Sequence, residues 1–303
     1  MAGAVRVLLN GKKAGLEEVR AAIDTGREQW PVEVRVTYES GDIERFVKEA
    51  SEQGVRRIVA AGGDGTLNEA VSAMMLLDKD KRPELGIMPL GTANDFAVSA
   101  GIPENLTQAL NLAITGESHW VDVAKANQHF YINVASGGFG AQVTSSTPTA
   151  LKNFLGGGAY TLTGLLQAIN FTPFPGVVEI DGAKEDINVI VAAVCNGRQA
   201  GGGQQLAPGA VIDDGLLDLV AISEFTPQAI SEVLSELLEI QDSTQATGNF
   251  VKRIQAKSIR WRVDDPMPIN LDGEPISAKD IEFSVVGKQI ALVLPNQCPL
   301  LSS

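Results

Sequence analysis

Two hydrophobic periods alternate along the first third of the chain, and this alternation constrains the fold more than any other feature. Short apolar runs typical of strands are each followed by a segment with the spacing of an amphipathic helix. Such an order predicts a parallel sheet with helices on its faces. The predicted strands are Val5–Asn10, Val32–Thr37, Arg56–Ala61 and Leu85–Pro89, and the predicted helices are Leu16–Gln29, Gly41–Gln53, Leu67–Leu77, Thr92–Ser99 and Asn105–Thr115.

The pattern changes after Trp120, where strand-like runs follow one another with few helices between them. We therefore predict an α/β domain over residues 1–120 and an all-β sandwich domain over residues 121–289. The predicted strands here are Val121–Ala126, Phe130–Ser136, Val177–Asp181, Val189–Asn196, Leu217–Ile222, Ser258–Val263, Ile269–Leu271, Asp280–Val286 and Gln289–Leu294, and the predicted helices are Leu162–Asn170 and Pro227–Leu238.

The chain is acidic, with a net charge of -13 and a pI of about 4.7. This balance argues against a nucleic-acid partner and against electrostatic docking on an anionic membrane. Cys195 and Cys298 are too few for a disulfide framework or a zinc site, and Cys195 lies in an apolar run that predicts burial. Because neither a secretory signal nor a transmembrane segment is apparent, we expect a cytoplasmic protein.

A glycine-rich segment follows the third predicted strand and leads into a helix. It reads Gly62-Gly63-Asp64-Gly65-Thr66-Leu67-Asn68-Glu69. A strand, a glycine turn and a helix N-terminus form a site for phosphate, because backbone N–H groups converge there and the helix dipole favours an anion. An ordinary β–α turn is the alternative interpretation. Asp64 fits beside a phosphate only with a cation or a proton donor between them.

A second segment of the same kind follows the next strand. It reads Pro89-Leu90-Gly91-Thr92-Ala93-Asn94-Asp95-Phe96-Ala97. Two such turns would lie side by side at the carboxyl edge of the sheet, where open α/β sheets bind ligands. Helix capping by Asn94 or Asp95 is the simpler interpretation of the polar residues in this segment.

Two acidic turns in the second domain remain open to two interpretations each. Asp272-Gly273-Glu274 offers a carboxylate that would accept a proton from a hydroxyl, or it is a plain hairpin turn. The segment 211–216 contains Asp214, and one carboxylate with turn carbonyls suits Mg²⁺ or Ca²⁺. A type I turn is its alternative.

Together, GGDGTLNE and PLGTANDFA resemble the catalytic domain of the diacylglycerol kinase family. The segments NGRQAGGGQQLAPGAVIDDGLLDL (196–219) and LDGE (271–274) are most similar to bacterial YegS-type lipid kinases, and the similarity runs along the whole chain. The resemblance implies a Rossmann-like first domain related to NAD kinases and phosphofructokinases, to which residues 290–303 return. It also implies ATP as cofactor, with Mg²⁺ or Ca²⁺.

The same resemblance implies roles for individual residues. Glu274 is the expected general base, and Asp64 is expected near the catalytic metal. A divalent cation is expected on Asp214 and the backbone carbonyls of Val211 and Leu216. The residues expected to hold the nucleotide are Thr37, Gly63, Asp64, Gly65, Thr66, Leu67, Asn68, Glu69 and Thr92.

A nearly uncharged stretch runs from Ala126 to Val178, in which Lys152 carries the only formal charge when His129 is neutral. It predicts either sandwich core or, in its later part, an apolar groove for acyl chains. The groove candidates are Phe154, Leu155, Tyr160, Leu162, Leu165, Leu166, Ile169, Phe171 and Phe174.

The function expected from this resemblance is transfer of the ATP γ-phosphate to a lipid hydroxyl, with phosphatidylglycerol or a diacylglycerol-like lipid as acceptor. Such an enzyme would meet its substrate transiently at the inner membrane face. The basic membrane-facing patch of the family is not evident in this acidic chain. Two alternatives remain: a kinase for a soluble alcohol or NAD, and a nucleotide-binding sensor without turnover. The sequence does not indicate an oligomeric state.

Overall fold

The structure is a computed structural model that describes residues 4–138, 173–239 and 246–302. It divides into two compact units. Unit 1 comprises residues 1–123 and 287–301, and unit 2 comprises residues 124–286 with Ser302. None of the helices in the described ranges has both the length and the apolar character that crossing a membrane requires.

Unit 1 alternates strands and helices, as predicted. Its elements are β1 (Val5–Leu9), α1 (Glu17–Arg27), β2 (Val32–Val36), α2 (Asp42–Glu52), β3 (Arg57–Gly62), α3 (Asp64–Met75), β4 (Glu84–Pro89), α4 (Asp95–Ser99) and α5 (Leu106–Thr115), with short 3₁₀ turns at Gly11–Lys13 and Lys79–Lys81. Strand β5 (Glu117–Ala126) follows.

Two helix starts in unit 1 differ from the prediction by three residues, and the other three differ by one. Helix α3 begins at Asp64, not Leu67, so three residues assigned to a turn form its first helical turn. An acidic residue is favourable there because it interacts with the helix dipole. Helix α4 begins at Asp95, not Thr92, because Asn94 before it adopts a left-handed conformation with φ of 52°.

The strands of unit 1 form a parallel sheet in the order β2-β1-β3-β4. The last strand of the chain, β16 (Glu274–Leu294), adds to β4 through the pairing of Leu292 with Leu85. All carboxyl ends of β1 to β4 therefore meet at one edge, where the sequence motifs lie.

Helices cover both faces of this sheet. One face packs α1 and α5 against the strands through a core that includes Val7, Ile23, Val59 and Leu110. Helix α2 buries Ile43, Phe46, Val47 and Ala50, which recur at the spacing of one helix face, and it packs beside α3 on the other side.

Unit 2 consists mainly of antiparallel strands. They are β6 (His129–Tyr131), β7 (Val134–Gly138), β8 (Phe174–Ile180), β9 (Ala183–Cys195), β10 (Gln199–Ala200), β11 (Gln204–Gln205), β12 (Leu217–Ser223), β13 (Ala246–Thr247), β14 (Val251–Ala256) and β15 (Ser258–Leu271), followed by β16. The sheet order is β13-β14-β12-β9-β7-β15-β16, and β8 pairs with β9 and β15. Helix α6 (Ile230–Glu239) packs on β14.

Several predicted strands of unit 2 have different bounds. The predicted strand Phe130–Ser136 is two strands, interrupted at residues 132–133. The backbone N–H groups of these two residues donate to the side chain of Asp272. Residues 258–271 were predicted as two strands but form the single strand β15, and the two strands predicted in 280–294 lie within the single strand β16. The pairing register between β15 and β16 shifts between Arg262 and Met267, where the Asp-Asp-Pro segment lies. Strands β10, β11, β13 and β14 were not predicted.

Cys195 is fully buried, as predicted, and burial raises the pKa of its thiol. A protonated, inaccessible thiol of this kind has no role in catalysis.

Candidate active site

The two glycine turns lie at the carboxyl ends of the neighbouring strands β3 and β4, and they touch. A Cβ added to Gly91 would lie 2.6 Å from the Cα of Gly63, and one added to Gly63 would lie 3.0 Å from the Cα of Gly91. The N–H of Leu90 also donates to the carbonyl of Gly62 at 2.7 Å. Both glycines are therefore needed for the close approach of the two turns.

Asp64 links these turns through its carboxylate. Its two oxygens accept the backbone N–H groups of Asp95 at 3.2 Å and Phe96 at 3.1 Å, at the start of α4. Asn94 closes its own turn, because its side chain exchanges hydrogen bonds with the N–H and the carbonyl of Gly91. Capping of α4, predicted for Asn94 or Asp95, is thus supplied by Asp64 from the other turn.

The N-terminus of α3 has no side-chain cap, because Gly63 occupies the capping position. The N–H of Leu67 is bonded to the carbonyl of Gly63 at 3.1 Å, so the earlier N–H groups of the helix lack an intrahelical acceptor. A Cβ added to the exposed Gly65 would meet nothing within 4 Å. This arrangement leaves room for an anion at the helix start, where the dipole favours one.

Thr37 is connected to this turn through the residues that follow β1. The Thr37 hydroxyl accepts the N–H of Gly11 at 3.2 Å, and the Asn10 amide donates to the Thr66 hydroxyl at 3.4 Å. The sequence analysis did not single out Asn10. The Asn10-Gly11 pair directly after a buried strand could have indicated it, because such a pair predicts a polar turn at the carboxyl edge of the sheet.

The other nucleotide candidates fall into two groups. Thr92 and Glu69 are exposed, whereas Leu67 and Asn68 are 3% and 4% exposed, respectively. The last two are therefore almost completely buried.

In unit 2, Asp272 anchors the acidic turn between β15 and β16. Its carboxylate accepts three backbone N–H groups, from Ile132 at 2.8 Å, Asn133 at 3.0 Å and Val134 at 2.7 Å. The Asn270 side chain accepts the N–H of Gly273 at 2.8 Å. The turn is thus held from two sides, and Asp272 is occupied by structural hydrogen bonds.

Glu274 differs from its neighbour in this turn. It is exposed, and no hydrogen bond or ion pair of its carboxylate is recorded within the described residues. A carboxylate on a fixed backbone with unoccupied acceptor sites is chemically suited to accept a proton.

The loop 211–216 is the candidate cation site expected from the sequence. Asp214 is exposed and accepts the N–H of Leu216 at 2.9 Å, and no hydrogen bond to the carbonyls of Val211 or Leu216 is recorded within the described ranges. In those ranges no group of three His, Cys, Asp or Glu side chains is arranged for a metal. The donors fit a hard, largely hydrated cation held by one carboxylate.

The predicted acyl-chain groove cannot be placed on this structure. All its candidates from Phe154 to Phe171 lie outside the described residues, as does the predicted helix Leu162–Asn170. Phe174, in β8, is half-buried and packs against the main core of unit 2.

Comparisons with known proteins agree with the sequence motifs. The model of the diacylglycerol kinase catalytic domain matches residues 4–126, and that of the YegS C-terminal NAD kinase β-sandwich-like domain matches residues 133–294. A Shewanella frigidimarina protein named "Probable lipid kinase YegS-like" is 46% identical over 302 residues, covering 98% of this chain and 96% of its own.

Two further comparisons extend over nearly the whole chain. A Chromohalobacter salexigens protein of the same name is 44% identical over 98% of this chain and 94% of its own. The crystal structure of a diacylglycerol kinase from Bacillus anthracis has a TM-score of 0.75 at 23% identity, with 97% of both chains covered, which confirms the predicted α/β-plus-sandwich fold. The chain therefore belongs to the family of YegS-like probable lipid kinases, which combine a diacylglycerol kinase catalytic domain with a YegS C-terminal sandwich domain.

Proposed function

We propose that this chain is an ATP- and divalent-cation-dependent kinase that phosphorylates a lipid hydroxyl, on phosphatidylglycerol or a diacylglycerol-like lipid. The observation that carries the proposal is the uncapped N-terminus of α3 within the paired glycine turns, in a chain of this family. The two relatives named above are described as probable lipid kinases. The protein would act in the cytoplasm and meet its substrate transiently at the membrane surface.

In this proposal unit 1 binds the nucleotide. ATP would supply the phosphoryl group, and the first backbone N–H groups of α3, from Asp64 to Thr66, would hold its phosphates. Leu67, Asn68 and Glu69 build the helix that carries these groups. Thr37 and Thr92 stand at the ends of the strands on either side, where their hydroxyls would contact the nucleotide.

Asp64 has a positioning role in this scheme. Its carboxylate already accepts two N–H groups of α4, so it fixes the turn of Thr92 against the turn of Gly63. Any contact of Asp64 with a phosphate requires a cation between the two anions.

Glu274 is the proposed general base. It accepts the proton of the lipid hydroxyl as that oxygen forms a bond to the γ-phosphorus, the bond between the γ-phosphorus and the β–γ bridging oxygen breaks, and ADP leaves. Phosphoryl transfer depends mainly on positioning and charge neutralisation, so a base that is fixed by its turn suits the reaction. A divalent cation held by Asp214 with the carbonyls of Val211 and Leu216 would order the loop before β12.

The direct test is transfer of radiolabelled γ-phosphate from ATP with Mg²⁺ to a panel of phosphatidylglycerol, diacylglycerol, a soluble alcohol and NAD. We expect label on a lipid, and a fall in kcat of about 10²- to 10⁴-fold in Glu274→Gln. Glu282→Gln, an exposed glutamate further along β16, is the matched control and should retain the wild-type rate.

Each of three other outcomes would change one part of the proposal. Label only on the soluble alcohol or NAD would replace the lipid acceptor. ATP binding without any labelled product would indicate a sensor. Equal lipid labelling by wild type and Glu274→Gln would keep the kinase and remove Glu274 as its base.

A further inference from the structure

Tyr38 is a large aromatic side chain that projects into solvent from the site edge of unit 1. It is 96% exposed, whereas the next most exposed large hydrophobic residues in the described part of the chain, Leu76 and Leu238, are 66% exposed. Single exposed apolar residues are common and need no explanation by themselves. The position and the fixed backbone of Tyr38 are what distinguish it.

The backbone on both sides of this ring is held by hydrogen bonds. The N–H groups of Tyr38 and Glu39 donate to the Asp42 carboxylate at 2.6 and 3.0 Å. On the other side, the N–H of Thr37 donates to the carbonyl of Leu9 at 2.9 Å, and its hydroxyl accepts from Gly11. The ring is therefore presented from a rigid turn, although no ring contact is recorded for it in the described parts of the chain.

The location of this turn relates it to the α3 phosphate site. Tyr38 follows β2, and β1 separates β2 from β3, which leads into the glycine turn. Two inter-strand spacings place the ends of β2 and β3 about 10 Å apart. An extended nucleoside triphosphate whose phosphates lie at α3 would reach across β1 toward the end of β2.

We propose that Tyr38 is the stacking platform for the nucleobase of the bound nucleotide, an inference that rests on the proposed function. An aromatic face stacks on a base through its π surface, and such stacking needs no further hydrogen bonds. A pre-positioned ring loses little conformational freedom when the base binds.

A lipid surface is the competing occupant of this ring. Val36, two residues before Tyr38, is also exposed, at 46%. However, the exposed glutamates Glu39 and Glu44 lie one and six residues after Tyr38. Such an acidic segment is unfavourable against an anionic membrane, so a base is the better partner for the ring.

The test compares wild type, Tyr38→Ala and Tyr38→Phe by calorimetry with two probes, MgATP and magnesium tripolyphosphate, which lacks a base. We expect Tyr38→Ala to raise the Kd for MgATP about five- to 100-fold, because one stacking contact is lost. Tyr38→Phe, which keeps the ring, should bind MgATP like wild type. Tripolyphosphate should bind all three proteins equally.

Three results would overturn the assignment. Wild-type affinity of Tyr38→Ala for MgATP would remove the stacking role while leaving the kinase intact. An equal loss of tripolyphosphate binding would show a general distortion of the site. Unchanged MgATP binding with reduced sedimentation on phosphatidylglycerol vesicles would assign the ring to a membrane. Failure of wild type itself to bind MgATP would instead reject the nucleotide site as a whole.

Discussion

At the residue scale, three acids of the sequence motifs, Asp64, Asp272 and Glu274, differ in what their carboxylates contact. Asp64 and Asp272 each accept backbone N–H groups, two and three, respectively. The Glu274 carboxylate accepts no backbone N–H group within the described residues. Hydrogen bonds of a carboxylate to several N–H groups fix the surrounding backbone. The two aspartates thus shape the turns, and Glu274 remains available for chemistry.

A glycine at the start of α3 offers a test at this scale. Gly65→Ala places a methyl group in open space, and alanine favours a helix over glycine by about 0.5–1 kcal/mol. We therefore expect an unchanged or raised Tm. If a phosphate approaches this backbone, the same methyl group obstructs it, so the Kd for MgATP should rise about tenfold or more.

Gly15→Ala is the matched control for this experiment, because its added methyl group also meets nothing within 4 Å. It should leave the Kd for MgATP unchanged. Wild-type affinity in Gly65→Ala would place the phosphates elsewhere than at the start of α3.

At the element scale, the connection from β2 to α2 depends on one buried carboxylate. Asp42 is 4% exposed, and the N–H groups of Tyr38 and Glu39, followed by Arg45, lower its pKa to about 2. In the unfolded chain the pKa would be about 3.9. A lowered folded-state pKa stabilises the fold above the unfolded value, and this stabilisation is lost as the pH falls toward 2.

We therefore expect wild type to lose stability between about pH 4 and pH 2 more steeply than Asp42→Asn, whose amide does not titrate. Urea unfolding at several pH values measures this difference. Glu104→Gln, which removes an exposed carboxylate, serves as the control and should follow wild type. Parallel pH profiles for wild type and Asp42→Asn would contradict the assigned role of Asp42.

Element boundaries were predicted well where local pattern decides them. Strands β1 to β4 differ from the prediction by one residue at most, because each is a short strand-like run bounded by turns. The early start of α3 and the break between β6 and β7 were missed. The first depends on a glycine that serves as the N-cap, and the second on Asp272, which is distant in sequence from the backbone it binds.

At the scale of the whole molecule, the net charge of -13 opposes approach to an anionic lipid surface. A divalent cation would reduce this repulsion by bridging acidic groups on both partners. We therefore expect little sedimentation of the protein with phosphatidylglycerol vesicles in EDTA, and more after Mg²⁺ or Ca²⁺ is added. Vesicles of a neutral lipid are the control. Strong sedimentation in EDTA would show that apolar contacts dominate membrane binding.

The sequence by itself determined the class of both domains and the family, because hydrophobic period and two glycine motifs are local properties of the chain. The hydrogen bonds of Asp64 to α4 and of Asp272 to residues 132–134 were decided by the tertiary structure alone. Local pattern carries no information about which distant backbone N–H a carboxylate will meet. That partner is fixed only when packing brings the two segments together.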